Sequence, residues 1–239
     1  DVEIDRINKP HLPIASGEFS RQQGWWIVGI TGILALLASA LQSYFLMATV
    51  WLSLLIGTAY SLPPIRLKRS PIWASLCILG VRGAIVNLGL FLHFRAMMSR
   101  QTGLTQLGQI PLPVWALTLF VIVFTFAIAI FKDIPDAEGD RRYQIKTFTL
   151  HLGQRSVFNL ARWVITACYG AMILAGAVLP GMQSPLLMGV HLIALVTFWG
   201  LSFRVNLHEK RSIARFYQVI WKLFFLEYLI FPIVCFTLR

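Results

Sequence analysis

The stretch LPVWALTLFVIVFTFAIAIFK, residues 112–132, contains no charged side chain before its last residue. A helix that crosses a bilayer needs about 20 mostly apolar residues, so this stretch predicts a membrane span. Six further stretches have similar character, namely residues 24–41, 44–62, 71–94, 157–180, 184–203 and 214–237. Hydrophobic residues make up 57% of the chain and charged residues 13%, unlike a typical soluble protein. The sequence therefore predicts an all-α fold, a polytopic transmembrane helical bundle of seven spans in one domain, residues 1–239.

Basic side chains are concentrated on one side of the predicted bundle, which we call side A. Because successive spans alternate in direction, the N-terminal segment and segments 63–70, 133–156 and 204–213 all fall on side A. Loops rich in Lys and Arg stay on the cytoplasmic side of a membrane, so side A is predicted to be cytoplasmic or its equivalent. The net charge of +11 reflects this bias. Binding of nucleic acid is the weaker interpretation, because the charge is spread over membrane loops.

Two acidic clusters also lie on side A, and they are the strongest indication of chemistry. Asp1 and Asp5 are four residues apart, and Asp133 and Asp140 are seven apart with Asp136 close beside them. These spacings place each cluster on one face of a helix, although a proline and a glycine in the second cluster also allow a helix end that turns into a loop. Mg²⁺ held by a few carboxylates leaves positions for substrate phosphates. The alternative is a set of solvated loops that balance their own charges.

A basic loop on side A, YSLPPIRLKR at residues 60–69, is suited to bind an anion next to these acids. Its Pro-Pro pair ends the preceding helix and stiffens the chain, which leaves Arg66 and Lys68 over the same surface. Arg clamps phosphate with a planar fork, and Lys acts as a point charge. The same role suits Arg141 and Lys146, which follow the second acidic cluster. The alternative is that some of these residues only anchor loops at the membrane surface.

Three polar side chains fall deep inside predicted spans, where each needs a partner or a polar cavity. Arg82 lies about ten residues into its span, or roughly 15 Å at 1.5 Å per residue. Glu227 lies at a similar depth in the last span. We expect Arg82 either to pair with Glu227 or to receive the carboxylate of an aromatic acid, and we favour the pair. Asn87 has the same two alternatives, a structural partner or a place in an acceptor site.

Four segments of the chain resemble one enzyme family. They are DVEIDRINKPHLPIASG at residues 1–17, YSLPPIRLK at 60–68, FKDIPDAEGDR at 131–141 and FYQVIWKLFFLEY at 216–228. Together they are similar to UbiA-type intramembrane aromatic prenyltransferases, and within that family to the homogentisate phytyltransferases. The resemblance extends over essentially the whole chain. Members of the family have nine spans, and their first motif begins with an Asn that would precede Asp1. We therefore expect the chain to begin inside the family's second helix, without the first helix and part of the second.

The resemblance implies a Mg²⁺-dependent transfer of a prenyl group. It assigns Mg²⁺ to Asp1, Asp5, Asp133 and Asp140, with Asp136 as a further catalytic residue. The diphosphate of the donor would be bound by Tyr60, Arg66, Lys68, Arg141 and Lys146. The allylic C–O bond would ionise, and homogentisate would attack the carbocation and lose its carboxylate as CO₂. The implied setting is tocopherol synthesis from phytyl diphosphate, in a cyanobacterial thylakoid or plasma membrane or a plastid membrane.

Other functions explain some of these features. Another UbiA-type transferase, one that makes chlorophyll or a prenylquinone, would carry the same acidic motifs. A transporter or channel would explain many spans and buried charges, but it does not require two Asp clusters beside a rigid basic loop. A structural subunit of a membrane assembly would need no clustered acids. Release of diphosphate that depends on Mg²⁺ distinguishes the enzyme from the last two classes.

Overall fold

The computed structural model describes residues 2–99, 110–143 and 145–237, and within these ranges the chain is helical with no β-strand. Its α-helices are α1 (Val2–Asn8), α2 (Arg21–Ala40), α3 (Tyr44–Ser61), α4 (Pro71–Ile78), α5 (Val86–Ser99), α6 (Leu112–Arg142), α7 (Phe148–Leu152), α8 (Gln154–Val178), α9 (Pro185–Ser202) and α10 (Lys210–Thr237). A short 3₁₀ helix, Leu67–Arg69, precedes α4. A π-helical segment, Leu79–Ile85, joins α4 to α5, and we call it the π-segment.

Seven of the described helices are long and apolar enough to cross a membrane, which confirms the predicted polytopic bundle. They are α2, α3, the continuous helix through α4, the π-segment and α5, then α6, α8, α9 and α10. Most predicted boundaries lie within about four residues of the observed ones, the usual uncertainty of such predictions. The exception is α6, which continues to Arg142 instead of ending at residue 132. Pro135 lies inside this extension, so the helix passes through the second acidic cluster.

Polar residues at the loop ends of the spans begin the helices. The Ser20 hydroxyl accepts a hydrogen bond from the Gln23 N–H at 3.1 Å, and the Gln23 side chain accepts one from the Ser20 N–H at 2.7 Å. This reciprocal pair is a capping box. The hydroxyls of Ser43 and Ser184 also cap α3 and α9. Such bonds satisfy N–H groups at helix ends that have no partner within the helix.

The helix α6 is the centre of the bundle and packs against α8, α10, the π-segment and α1. Its aromatic side chains Phe124 and Phe131 are completely buried. Phe124 packs edge-on against Tyr169 of α8, and Phe131 contacts Phe216 of α10 with ring centroids 5.8 Å apart. In contrast, α2 and α3 leave most of their large apolar side chains exposed, as expected for helices that face lipid. The core therefore lies along α6, and the loop end of α6 is fixed by this packing.

A glycine allows the π-segment to approach α6 closely. A Cβ atom on Gly83 would lie 3.0 Å from the Cα of Ile122 and 2.5 Å from its Cγ1. Backbone atoms cannot move aside as a flexible side-chain end can, so any larger residue here would push the two helices apart. Within the same segment Gly80 faces open space, because a Cβ atom there would have no neighbour within 4 Å. The two glycines thus have different roles.

We predict that Gly83→Ala destabilises the protein and that Gly80→Ala does not. Overpacking of a close contact costs about 1–3 kcal/mol, whereas alanine in an open helical position is favoured over glycine by roughly 0.5–1 kcal/mol. The measurement is the Tm of both variants in one detergent, next to the unmodified protein. Equal Tm values for the two variants would contradict the close approach of the π-segment to α6.

Candidate functional site

A cavity of about 1690 Å³ opens where α1, the basic loop and the end of α6 meet. It collects charged and polar side chains from segments that are far apart in sequence. Of the residues predicted as a site, the cavity is lined by Asp5, Tyr60, Arg66, Lys68, Asp133, Asp136, Asp140 and Lys146. Glu3, Asn8, Lys9 and Lys132, which the sequence did not single out, also line it. The convergence of both acidic clusters and the basic loop on one surface is thus a property of the fold.

Of the described residues predicted to bind the metal or the diphosphate, Arg141 is the one that does not line this cavity, and the candidates inside the spans, Arg82, Asn87 and Glu227, do not line it either. Asp1 lies outside the described residues, and the first acidic cluster contributes Asp5 to the cavity wall. Arg141 is exposed and does not line the cavity. Because α6 remains helical to Arg142, Arg141 is rotated by about 100° from Asp140, since each residue of a helix with 3.6 residues per turn advances by that angle. The predicted role of Arg141 in diphosphate binding is therefore not supported by its position.

The second acidic cluster forms a stripe on α6. Asp133, Asp136 and Asp140 are three and four residues apart on a continuous helix, so they share the face that lines the cavity. Glu138 belongs to the same sequence run but lies on the exposed face. The Lys132 ammonium lies 3.8 Å from the Asp133 carboxylate. The prediction of a shared helical face is correct, and the alternative of a helix end that turns into a loop is not.

Two contacts fasten α1 to the end of α6. The Gly139 N–H donates to the Asn8 side-chain oxygen at 3.1 Å, in a buried position. A Cβ atom at Gly139 would collide with that Asn8 amide, so glycine permits the approach. The Lys9 ammonium then pairs with the Asp136 carboxylate at 2.5 Å. These contacts hold α1 so that Asp5 lines the same cavity as the acids of α6.

The basic loop brings positive charge to the cavity. It contains a cis peptide bond between Pro63 and Pro64, and Arg66 has a left-handed backbone with φ of 44°. The 3₁₀ helix that follows carries Lys68 into the cavity wall. Burial lowers the pKa of Lys68 from its ordinary value, and the neighbouring charge of Arg66 lowers it further. A cation in such surroundings is stabilised by an anion, so this wall is suited to bind one.

The donor set of the cavity fits a hard divalent cation. Asp5, Asp133 and Asp140 offer carboxylate oxygens, which are the ligands that Mg²⁺ prefers. Within residues 2–99, 110–143 and 145–237, no three acidic, His or Cys side chains converge closely enough to enclose a metal by themselves. Mg²⁺ usually keeps several positions for water and substrate phosphates. An open arrangement of carboxylates is therefore compatible with this ion.

The predicted pairing of Arg82 with Glu227 is wrong. Glu227 instead contacts His191 of α9, with 3.0 Å between the His191 Nε2 and the Glu227 Oε1. His191 Nδ1 donates to the Leu187 carbonyl at 2.7 Å, because a carbonyl can only accept. One further proton is then shared between His191 and Glu227, and both side chains are at least 97% buried. The Arg82 guanidinium lies over the Trp221 ring, 4.8 Å from its centroid.

Asn87 has a structural role in the described part of the chain. Its side-chain N–H groups donate to the carbonyls of Arg82, at 3.0 Å, and of Gly83, at 2.7 Å. Its side-chain oxygen accepts a hydrogen bond from the Tyr228 hydroxyl at 2.8 Å. The amide thus links the π-segment to α10. Of the two alternatives for Asn87, the structural partner is the one observed.

The comparisons with known proteins agree with this architecture. A homogentisate phytyltransferase of Synechocystis is 52% identical over 235 residues, which cover 98% of this chain and 74% of that protein. A chloroplast homogentisate phytyltransferase of Arabidopsis thaliana is 39% identical and is covered over 59% of its length. The chain thus spans less of the plant relatives than of the cyanobacterial one.

A solved structure shares the fold. It is a UbiA homologue from Archaeoglobus fulgidus bound to DMAPP and Mg²⁺, with a TM-score of 0.56 and 15% identity. The match covers 97% of this chain and 81% of that one. The profile of the UbiA prenyltransferase family matches residues 1–227, which is nearly the entire chain. With the seven spans and the two acidic motifs, this match shows that the chain belongs to the UbiA prenyltransferase family.

Proposed function

We propose that this protein transfers a phytyl group from its diphosphate to homogentisate with loss of CO₂, with Mg²⁺ as cofactor. The observation that carries the proposal is the single cavity in which Asp5, the acidic stripe of α6 and the basic loop meet. The similarity to homogentisate phytyltransferases supports this substrate pair. Membership of a prenyltransferase family disfavours the transporter and the structural subunit considered from the sequence.

The acids of the cavity would hold the metal, and the bases would hold the diphosphate. Asp5, Asp133 and Asp140 are the residues of this chain that would bind Mg²⁺, together with Asp1 as the family resemblance implies. When bound, Mg²⁺ would supply neutralisation of the leaving diphosphate, which eases the breaking of the allylic C–O bond. Tyr60, Arg66, Lys68 and Lys146 line the same cavity and would contact the remaining phosphate oxygens.

Asp136 has a different role in this proposal. Its carboxylate is engaged by the Lys9 ammonium at 2.5 Å, so one unit of its charge is already balanced. Lys9 adjoins Asn8, whose side chain holds the Gly139 backbone. Asp136 would therefore position α1, and hence Asp5, instead of acting as a principal metal ligand. Asp133 and Asp140 keep the metal-binding role.

Apolar side chains continue the cavity away from the charged residues. Trp25 and Val28 of α2, Ile78 of α4 and Ala129 of α6 belong to its lining. A prenyl chain would lie along this surface because burial of apolar area is favourable at about 25 cal/mol per Å². The same surface would exclude water, which would otherwise consume an allylic cation. One cavity would thus accept both ends of an amphipathic donor.

The proposed reaction balances without a further reagent. The electron pair of the allylic C–O bond leaves with the diphosphate, and a ring carbon of homogentisate forms the new C–C bond to the cation. The ring carbon loses one proton when the new C–C bond forms. The side-chain carbon gains one proton after CO₂ departs and becomes a methyl group, so the two proton changes cancel. The products are diphosphate, CO₂ and a prenylated methylhydroquinone.

We also infer the sidedness and the membrane. The excess of Lys and Arg on side A supports a cavity that opens to the cytoplasm or the stroma. Relatives from a cyanobacterium and from chloroplasts support a thylakoid, plasma or plastid membrane. Donor length is the main alternative, because a homogentisate solanesyltransferase of Arabidopsis thaliana is 37% identical. Mass spectrometry of the products from homogentisate and a panel of prenyl diphosphates decides between these donors.

We predict that Asp133→Asn lowers kcat by at least about a hundredfold, or about 2.7 kcal/mol in the barrier. The amide keeps the shape of the side chain but removes the negative charge that would bind Mg²⁺. The matched control is Glu138→Gln, because Glu138 belongs to the same acidic run but is exposed on the opposite face of α6. Retention of more than a tenth of the activity by Asp133→Asn, roughly 1.4 kcal/mol, would contradict the ligand assignment.

We further predict that Lys68→Ala raises KM for the prenyl diphosphate at least about tenfold, or about 1.4 kcal/mol, and leaves KM for the acceptor nearly unchanged. The physical reason is the loss of a half-buried cation in the cavity wall that would face the diphosphate. Arg141→Ala serves as the control, because Arg141 is exposed outside the cavity. If both variants changed both KM values alike, the effect would be a general one on folding or on membrane charge, and the diphosphate role of Lys68 would be refuted.

A further inference from the structure

Arg82 is a cation at membrane depth whose charge is not balanced by a carboxylate in the described part of the chain. The one acid of helix α10, Glu227, is engaged by His191. The Arg82 guanidinium lies instead over the Trp221 ring, 4.8 Å from the centroid. A cation gains less from an aromatic face than a charge costs at the centre of a membrane helix. The arrangement is therefore suited to receive an anion.

The backbone that carries Arg82 is held in place from both sides. Asn87 binds the carbonyl groups of Arg82 and Gly83, and Tyr228 binds Asn87. On the opposite side Gly83 lies against Ile122 of α6. π-Helical segments inside α-helices are frequent at functional sites. The segment thus fixes the backbone position of Arg82, and the N–H groups of its guanidinium remain available to a ligand.

Arg82 does not line the cavity, but it follows a residue of the cavity wall on the same helix. Ile78 lines the cavity, and Arg82 follows it by one turn on the same helix, which is about 6 Å along the axis. Tyr217 lies within electrostatic reach of both Lys132, at the cavity, and Arg82. The Tyr217 ring stacks on Phe131 of α6 with centroids 5.7 Å apart and planes at 7°. A small aromatic molecule near Arg82 would therefore lie just below the charged end of the cavity.

We propose that Arg82 recognises the carboxylate of the acceptor and so selects an aromatic acid over a neutral hydroquinone. This inference rests on the proposed prenyl transfer to homogentisate. A guanidinium binds a carboxylate with two parallel hydrogen bonds, and the Trp221 ring beneath it would keep that fork in one plane. The acceptor's ring would then extend toward the cavity, where the allylic carbon of the donor is expected. Diphosphate is the less suitable anion, because Lys68, Arg66 and the metal-type acids line the cavity and Arg82 does not.

Loss of CO₂ gives this contact a second consequence. The carboxylate that Arg82 would hold is absent from the product, which carries a neutral methyl group in its place. The product would therefore bind more weakly than the acceptor at the same position. Selection of the substrate and release of the product would follow from one charged group.

The test compares Arg82→Gln and Arg82→Lys with the unmodified full-length protein in liposomes, with phytyl diphosphate as donor. The acceptors are homogentisate and methylhydroquinone, which lacks the carboxylate, the latter measured as substrate or as competitive inhibitor. We expect Arg82→Gln to lower kcat/KM for homogentisate at least about thirtyfold, or about 2 kcal/mol. We expect binding of methylhydroquinone and KM for the donor to change less than threefold. Arg82→Lys keeps the charge without the planar fork and should retain part of the preference.

The control is Arg162→Gln on α8. Arg162 also lies over a tryptophan, 4.1 Å from the Trp199 centroid. Neither arginine lines the cavity, but the helix of Arg82 contributes Ile78 to its wall and α8 contributes no residue. This variant removes an arginine–tryptophan contact in a membrane helix and should preserve the ratio of the two acceptors. If Arg82→Gln does not fold, as judged by its Tm, Arg82→Lys alone still tests the loss of homogentisate affinity at constant donor KM.

Three outcomes would overturn the inference. Equal losses for homogentisate and methylhydroquinone would assign Arg82 a structural role. A rise in KM for the donor alone would assign its anion to the diphosphate. An unchanged preference in both variants would show that the carboxylate is recognised elsewhere. Failure of the unmodified protein to prenylate homogentisate would instead refute the proposed function, which is a distinguishable result.

Discussion

The contact between α1 and the end of α6 determines whether the two acidic clusters face one cavity. Asn8 reaches the backbone of α6 only because Gly139 has no side chain, and Lys9 balances the charge of Asp136 beside it. A helix of seven residues has little stability of its own, so these two contacts hold it in place. The position of Asp5 relative to Asp133 and Asp140, and with it the whole donor set for a metal, follows from them.

Among the described residues, two charged groups inside the spans, Glu227 and Arg82, have partners of different kinds. His191 and Glu227 form a closed pair in which every available proton has an acceptor, so the pair connects α9 with α10 without an external ligand. Arg82 is supported by an aromatic ring and leaves its donors available. Within the part of the chain that the structure describes, this contrast between a satisfied pair and a cation without a carboxylate separates a structural element from a candidate binding residue.

The fold also explains how one cavity would serve an amphipathic donor and a polar acceptor. α6 contributes its acidic stripe at the loop end and its aromatic core further down, because the helix continues unbroken through Pro135. The basic loop covers the loop end, and apolar side chains of α2 and α4 continue the wall toward the lipid. In the proposed reaction the charge that leaves with diphosphate and the cation that remains would thus be kept in different surroundings.

The sequence alone was sufficient for the seven spans, because a bilayer demands about 20 apolar residues wherever a helix crosses it. Its spacings of three and four residues also allowed an acidic stripe on one helical face, but only the structure showed that α6 stays helical through Pro135. The prediction from sequence was wrong about the partner of Glu227. It also could not give the direction of Arg141, which depends on α6 remaining helical to Arg142. The predicted span of His191 contains no charged residue that would indicate a partner for it. A helix that is apolar on all sides does not reveal which of its faces contacts a neighbouring helix. Only tertiary packing brought His191 of α9 to Glu227 of α10, and Arg82 of the π-segment over Trp221 of α10.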